Sequence, residues 1–466
     1  MKFPRLLPFI LFFLSAQISF AQLTEKWSLE KCVSYAVENN LTIRQSAINA
    51  NISSKNDLQS KLNLLPSIDA NGSFSDNFGN GFNPQTYSFA EGTSQSFQGV
   101  IQANWTLFTG LQQLNNVQKA RYDLLASKYD YENAKNNIIL SVASDYLQIL
   151  LNKEIEQVAE QQRGLTAAQE ETIKERIKAG ALPETSIYDI ESQLGRDEVN
   201  IVTNKNTVYL SILALEQLLQ LIPSDSFDVE TPMVSTDNLA DLNTLSAHSV
   251  YEFAVETQPS ILGADARVKS ADASRKATIG SVSPTLSAFA TLSSGYFSQD
   301  VKVLGYTYDT LAGIAIPTGE NTTKTTFFDD LKTNFRTSVG LSLDIPLFSR
   351  GQKVLNIQKS KLQEQINELQ LETAKNQLRQ DIEQAYANAK AAAESYLANK
   401  KSLEASQKAY DATDIRYKAG MASNFDMQQT KNNLLSAESQ MIQAKYTYVF
   451  RLKILDFYQG KPITLN

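Results

Sequence analysis

The chain has 466 residues, 42% of them hydrophobic, with 43 basic against 50 acidic side chains, one cysteine and one histidine. A net charge of −7 argues against a nucleic-acid binder, which shows a basic face. A single Cys, Cys32, excludes an internal disulfide and any Cys-cluster metal site; a single His, His248, excludes a multi-His zinc site and counts against a Ser-His-Asp hydrolase.

Residues 1–21 read as an address. Lys2 and Arg5 give a positive start, an apolar stretch runs from Leu6 to Leu14, and Ser19-Phe20-Ala21 is a small-x-small cleavage signal. The apolar run is too short to span a bilayer, so a secretory signal peptide is expected, and the mature chain would start at Gln22 with a net charge of −9. No other segment offers about 18 consecutive apolar residues.

The chain reads as two repeats, 22–245 and 246–466. Short amphipathic helices are expected near 28–64. A strand follows over about 66–75, where Ile68, Ala70, Gly72 and Phe74 alternate with Ser67, Asp69, Asn71 and Ser73. A second strand, about 99–108, sets Ile101, Ala103, Trp105 and Leu107 against Gln102, Asn104 and Thr106. The loop between them carries Phe78-Gly-Asn-Gly-Phe82. A helical hairpin is expected over about 111–221, its long first arm reaching 179 with one Gly, Gly164, inside it. The arm ends at Lys178-Ala179-Gly180, where Gly suits the left-handed position that closes a helix, and Pro183 can start the return.

The second repeat keeps this order. Helices are expected near 246–282, strands at about 284–296 and 337–347, and a helical hairpin over about 352–459. At an offset of 218, Glu38-Asn39-Asn40-Leu41 falls on Glu256-Thr257-Gln258-Pro259 and Pro66 on Pro284. Beyond the strands the offset is 240: Leu107-Phe108 falls on Leu347-Phe348, and Arg176 to Gly180 on Arg416 to Gly420. The jump predicts a longer connection between the strands of the second repeat. Residues 352–419 hold neither Gly nor Pro, enough for a helix of about 100 Å at ~1.5 Å per residue. Leu355, Leu362 and Leu369 recur every seven residues, the spacing of a coiled coil.

Alternating strands of about ten residues suit a bilayer, and aromatics near their ends, Phe327-Phe328 among them, suit its interfaces. Four such strands cannot close alone, and an open edge in lipid leaves backbone groups unpaired. Two chains would supply eight strands and three would supply twelve. The long helices must project out of the membrane. No phosphate-binding Gly loop, G-x-S-x-G or HExxH occurs, so no enzyme and no cofactor is expected.

In this order of elements the chain resembles the outer membrane efflux proteins of the TolC type. The likeness rests on Leu29-Glu30-Lys31 through Asn40, on Pro66-Ser67-Ile68 and Trp105-Thr106-Leu107-Phe108, and on the two Lys-Ala-Gly turns. It covers nearly all of 27–460. The resemblance implies a mainly α fold with a small transmembrane β part. A homotrimer would complete a twelve-stranded barrel above a coiled-coil helical tunnel, docked to a periplasmic adaptor and an inner-membrane transporter. It also implies an outer-membrane location with the helices in the periplasm, and a gate at the helical tips. Carried over by position, Arg176, Lys178, Ala179, Gly180, Arg416, Lys418, Ala419 and Gly420 form the adaptor-binding tips. Asp426 occupies the first acidic gate position and Gln429 the second; Ser186 and Asp189 are their counterparts in the first repeat. Tyr417 matches an aromatic that latches the tip. The competing reading is an exported coiled-coil structural or adaptor protein without a pore.

Overall fold

The computed structural model describes residues 26–83, 88–223, 227–232, 246–298, 301–311 and 314–464. The expected signal peptide lies outside the described residues. Nine helices and six strands are assigned among the described residues. In chain order they are α1 (Leu29–Asn39), α2 (Leu41–Leu62), β1 (Ser67–Asn83), β2 (Ser88–Phe108), α3 (Gln112–Lys178) and α4 (Ser186–Leu219). There follow α5 (Ala247–Thr257), α6 (Pro259–Gly280), β3 (Thr285–Phe297), β4 (Val301–Leu311), β5 (Ile314–Lys324), α7 (Phe327–Thr333), β6 (Arg336–Asp344), α8 (Gln352–Lys418) and α9 (Asn424–Tyr458). The long helices α3 and α8 each have 67 residues.

The segment before β1 breaks into α1 and α2 at Asn40, whose backbone is extended. Its side chain fills the gap: Nδ2 donates to the Leu218 carbonyl at 3.0 Å, and Oδ1 accepts from the Thr42 amide at 2.9 Å. The corresponding break before α6 falls at Gln258, with Pro259 opening the next helix. Gly164 does not interrupt α3: the helix runs through it, and a methyl group there would meet nothing.

The described residues divide into two compact units. One comprises residues up to 44, 134–254 and from 381 on. Its core packs Leu29, Cys32 and Ala36 of α1 with Val142, Tyr146 and Ile149 of α3, Leu215 and Leu219 of α4, and Ile442 and Val449 of α9. Burying one such Leu or Ile contributes about 2 kcal/mol. Cys32 is fully buried there, and burial pushes its thiol up to about 12, so it acts as a small apolar side chain. A second cluster sets Ala385, Ala389 and Ala392 of α8 against Tyr448, Leu452 and Leu455 of α9. His248 stands exposed in α5 beside Glu252, Nε2 to Oε1 3.1 Å.

The other unit, 45–133 and 255–380, holds the sheets. Four strands form one antiparallel sheet in the order β1-β2-β3-β6. Residues directly opposite one another share a face. Ile68, Ala103, Ala290 and Val339 line up in one row, Ala70, Ile101, Leu292 and Thr337 in the next, and Trp105, Ala288 and Leu341 in a third. Apart from Thr337, one face is therefore apolar along these rows. The opposite face carries rows such as Asp69, Gln102, Thr291 and Ser338. Phe289, Val100 and Phe297 are apolar exceptions on it, and the Phe289 ring covers Gly340, where a methyl group would meet the ring at 2.7 Å.

The strands depart from expectation in three ways. β1 and β2 run on beyond 75 and start before 99, paired as far as Asn83 with Ser88. Backbone pairing continues there without apolar alternation to reveal it. β6 ends at Asp344, short of 347, because Pro346 cannot donate to the ladder. The longer connection in the second half contains an unforeseen hairpin, β4 with β5, and the seven-residue α7.

Candidate functional site

Both helical turns close in the same way. The Gly180 amide donates to the Ile177 carbonyl at 2.9 Å and the Ala181 amide to Arg176 at 2.9 Å. In the second turn, Gly420 donates to Tyr417 at 3.0 Å and Met421 to Arg416 at 2.8 Å. These paired bonds satisfy carbonyls that the helix end leaves open. They require a residue at positive φ, and Gly180 (φ 75) and Gly420 (φ 74) supply it without the strain a Cβ would bring.

The turns differ in how the returning helix begins. α9 opens with a reciprocal cap: the Asp426 amide donates to Ser423 Oγ at 3.2 Å, and the Ser423 amide donates to Asp426 Oδ2 at 3.0 Å. The Ser423 hydroxyl adds a 2.7 Å bond to the same carboxylate. These bonds, with Arg416 nearby, hold the Asp426 carboxyl below the usual carboxylate range. At α4, Thr185 stands at the cap position without a side-chain bond, and Asp189 is exposed in the first turn. Ser186 is half-buried, its amide donating to Pro183 at 3.0 Å.

One contact joins the two turns within the chain. The Arg176 guanidinium lies over the Tyr417 ring, 5.0 Å from its centre, and Tyr417 is buried. Lys418 turns instead to Asp414, Nζ to Oδ2 2.6 Å, and that bond raises its pKa. Lys178, Ala179 and Ala419 are exposed. Gln429 reaches along its own helix to Asn433, Nε2 to Oδ1 3.1 Å. Of the residues expected at the tips, Arg176 and Tyr417 are brought together across the turns, and Asp426 is engaged by its own helix start.

Sequence reasoning missed the polar groups buried behind the turns. Lys431 of α9 is only 2% exposed, and its Nζ donates to Thr166 Oγ1 of α3 at 2.8 Å. The Thr166 hydroxyl also meets Asp197 of α4, whose Oδ1 accepts from Gln193 Nε2 at 2.8 Å. Burial lowers the Lys431 pKa to about 8 despite the pull of Asp197. Nearby, Gln169 Nε2 donates to Asn424 Oδ1 at 3.0 Å, and Gln428 Nε2 donates to Gln169 Oε1 at 3.2 Å. The available signal was helical phase: Lys431 stands one turn after buried Met427, and Asp197 seven residues after buried Ile190. Among the described residues no group of three or more His, Cys, Asp or Glu is placed to hold a metal ion, and no helix is long and apolar enough to cross a membrane.

Comparison with known proteins bears on this arrangement. The family profile "Outer membrane efflux protein" matches residues 32–220 and 250–460. The outer membrane efflux protein BepC of Brucella suis biovar 1 (strain 1330) is 23% identical over 414 residues, covering 89% of this chain and 81% of BepC. The fold is similar to that of the outer membrane protein VceC from Vibrio cholerae, with a TM-score of 0.74, 13% identity, and 94% and 97% of the two chains covered. It is also similar to the open state of the MtrE outer membrane channel of Neisseria gonorrhoeae, with a TM-score of 0.69, 19% identity, and 93% and 88% covered. With both helical hairpins and the strand segments inside the matched residues, the chain belongs to the outer membrane efflux protein family, outer-membrane channels, not enzymes, whose helical part lies in the periplasm.

Proposed function

We propose that the chain is the outer-membrane exit duct of a tripartite efflux or type I secretion system. In this reading three copies close one barrel of twelve strands. Small molecules or polypeptides then pass without energy input of the duct's own, from a periplasmic adaptor and an inner-membrane transporter to the outside. The helical turns form the tip that meets the adaptor and closes at rest.

The open four-stranded sheet carries this reading. One of its faces is apolar, and among the described residues the outer edges of β1 and β6 pair with no other strand. In hydrocarbon each unpaired backbone group costs several kcal/mol, so such a sheet has to close on further strands. Small barrels need about eight, more than one copy offers. The family resemblance favours three copies over two. An exposed stripe supports a neighbour as well: Leu355, Leu362 and Leu369 of α8 are each more than half exposed. A gate that opens is supported by the open state in which MtrE, a protein of this fold, was solved.

Conductance of the purified protein in a planar bilayer tests the duct and its gate together. Wild type is expected to conduct weakly, and Asp426→Ala/Asp189→Ala strongly. Asp426→Asn removes the charge yet can still accept from the Ser423 amide, so it separates a charged gate from a helix cap. Equal, sizeable conductances would keep the channel and remove the acidic gate. Confirmed insertion with no conductance in any variant would favour an exported structural or adaptor protein without a pore.

A further inference from the structure

The short helix α7 belongs to the connection that the second half has and the first half lacks. It lies on the apolar face of the sheet. Its first residue, Phe327, packs against Phe97 of β2 and Tyr296 of β3, with ring centres 5.5 and 5.2 Å away. Phe97 is paired with Phe74 of β1 and with Tyr296, so an aromatic row crosses three strands and ends on α7. Two hydrogen bonds hold the helix there: Ser294 Oγ donates to the Leu331 carbonyl at 2.5 Å, and Asn334 Nδ2 donates to the Gly295 carbonyl at 3.0 Å. The Thr326 side chain caps its start, accepting from the Asp329 amide at 3.3 Å.

The aromatic row marks a boundary. On one side of it the same face carries Ile101, Leu292 and Leu341. One step beyond the row on the other side it carries Asp76 paired with Gln95, and Gln95 is bonded to Ser298. Trp105, eight residues from Phe97 along β2, is the other aromatic limit, and its Nε1 donates to the Leu64 carbonyl at 2.9 Å. Eight residues of strand span about 27 Å, or roughly 20 Å once tilted, close to the apolar band of an outer-membrane barrel. α7 therefore sits where apolar gives way to polar. It turns Phe328 away from the protein, 80% exposed, with Phe335 just after it at 58%. Phe328 touches only the edge of the Phe327 ring, 5.5 Å between centres, and the two exposed rings of Phe328 and Phe335 continue the apolar face of the sheet outward. Asp329 and Lys332 provide the polar side that a segment lying in an interface needs.

We propose that α7 is an interfacial foot, which seats Phe328 and Phe335 in the lipid at the boundary between acyl chains and headgroups. It would fix the depth of the sheet from one side. The inference rests on the reading of the apolar sheet face as the lipid face.

Its test uses single cysteines in a Cys32→Ala background, each carrying a polarity-sensitive fluorophore. The protein is reconstituted in phosphatidylethanolamine/phosphatidylglycerol vesicles whose lipids carry a nitroxide either near the headgroup or deep in the acyl chain. Phe328→Cys and Phe335→Cys report α7, Ile101→Cys the apolar sheet face midway between the two aromatic limits, and Asp69→Cys the polar face. The expected result is loss of fluorescence at 328 and 335 mainly with the shallow nitroxide, at 101 mainly with the deep one, and at 69 with neither. Quenching at 101 but not at 328 or 335 would overturn the foot and leave the sheet reading standing, with water or a second copy covering α7. Absence of quenching at 101 as well would overturn both.

Discussion

Arg176 and Tyr417 stand 241 positions apart in sequence, yet their contact ties one helical turn to the other. A cation over an aromatic ring contributes about 0.5–2 kcal/mol, more as water is excluded, and the Tyr417 ring is buried. Tyr417→Phe should leave tryptic cleavage at the turns unchanged, because the ring and its cation remain. Tyr417→Ala should speed cleavage several-fold, and Arg176→Ala should do so only while Tyr417 is present; additive effects in the double mutant would sink the link. Lys431 gives a prediction in pH. Its folded pKa of about 8 lies below that of an unfolded lysine, so between about pH 8 and 10 the unfolded chain holds a proton that the folded one has released. Stability should therefore rise with pH across that window, by at most ~1.4 kcal/mol per pH unit for one proton. Lys431→Met should abolish the rise in thermal-melting series, and an unchanged slope would show that Lys431 is not its source. Above pH 10 the trend should reverse, because burial raises the Tyr146 and Tyr446 pKa values and their ionisation opposes folding.

At the scale of elements, what the sequence revealed followed from periodicity. The ends of α3 and α8 were legible because the same Lys-Ala-Gly turn occurs twice, and the core of each sheet strand because apolar residues alternate within the apolar band. The outer parts of β1 and β2 were not legible, since beyond Phe74 the pattern dissolves into Ser75, Asp76 and Asn77 while backbone pairing continues. The β4–β5 hairpin escaped notice for the same reason, with only the offset jump pointing to extra chain. The Lys431–Thr166–Asp197 cluster was hidden because a charged residue on a helix is read as solvated until its helical phase is checked against buried neighbours. The exposed stripe on α8 yields the prediction proper to this scale. Leu362→Asp touches no core of the single chain, so helix content by circular dichroism should be unchanged, while the oligomer measured by light scattering should fall to single copies. A surviving oligomer would place the seam elsewhere.

Across the whole molecule the elements recur with fixed spacing: α1, α2 and β1 reappear as α5, α6 and β3 after 218 residues, and α3 reappears as α8 after 240. The 22-residue difference is confined to the connection between β3 and β6, where α7 sits. Chain length is thus free to vary there, and a peptide tag placed in the β4–β5 connection should leave conductance and oligomer size intact. The helices allow no such freedom. α3 and α8 both have 67 residues, and each residue turns a helix by about 100° and advances it by about 1.5 Å. Loss of one residue from α8 alone would swing Tyr417 about a quarter-turn away from Arg176 and leave the two turns at different heights. The matched counts work as a shared clock. Natural or engineered changes of length in this chain should come in pairs, one in each long helix, and nearest to whole multiples of seven.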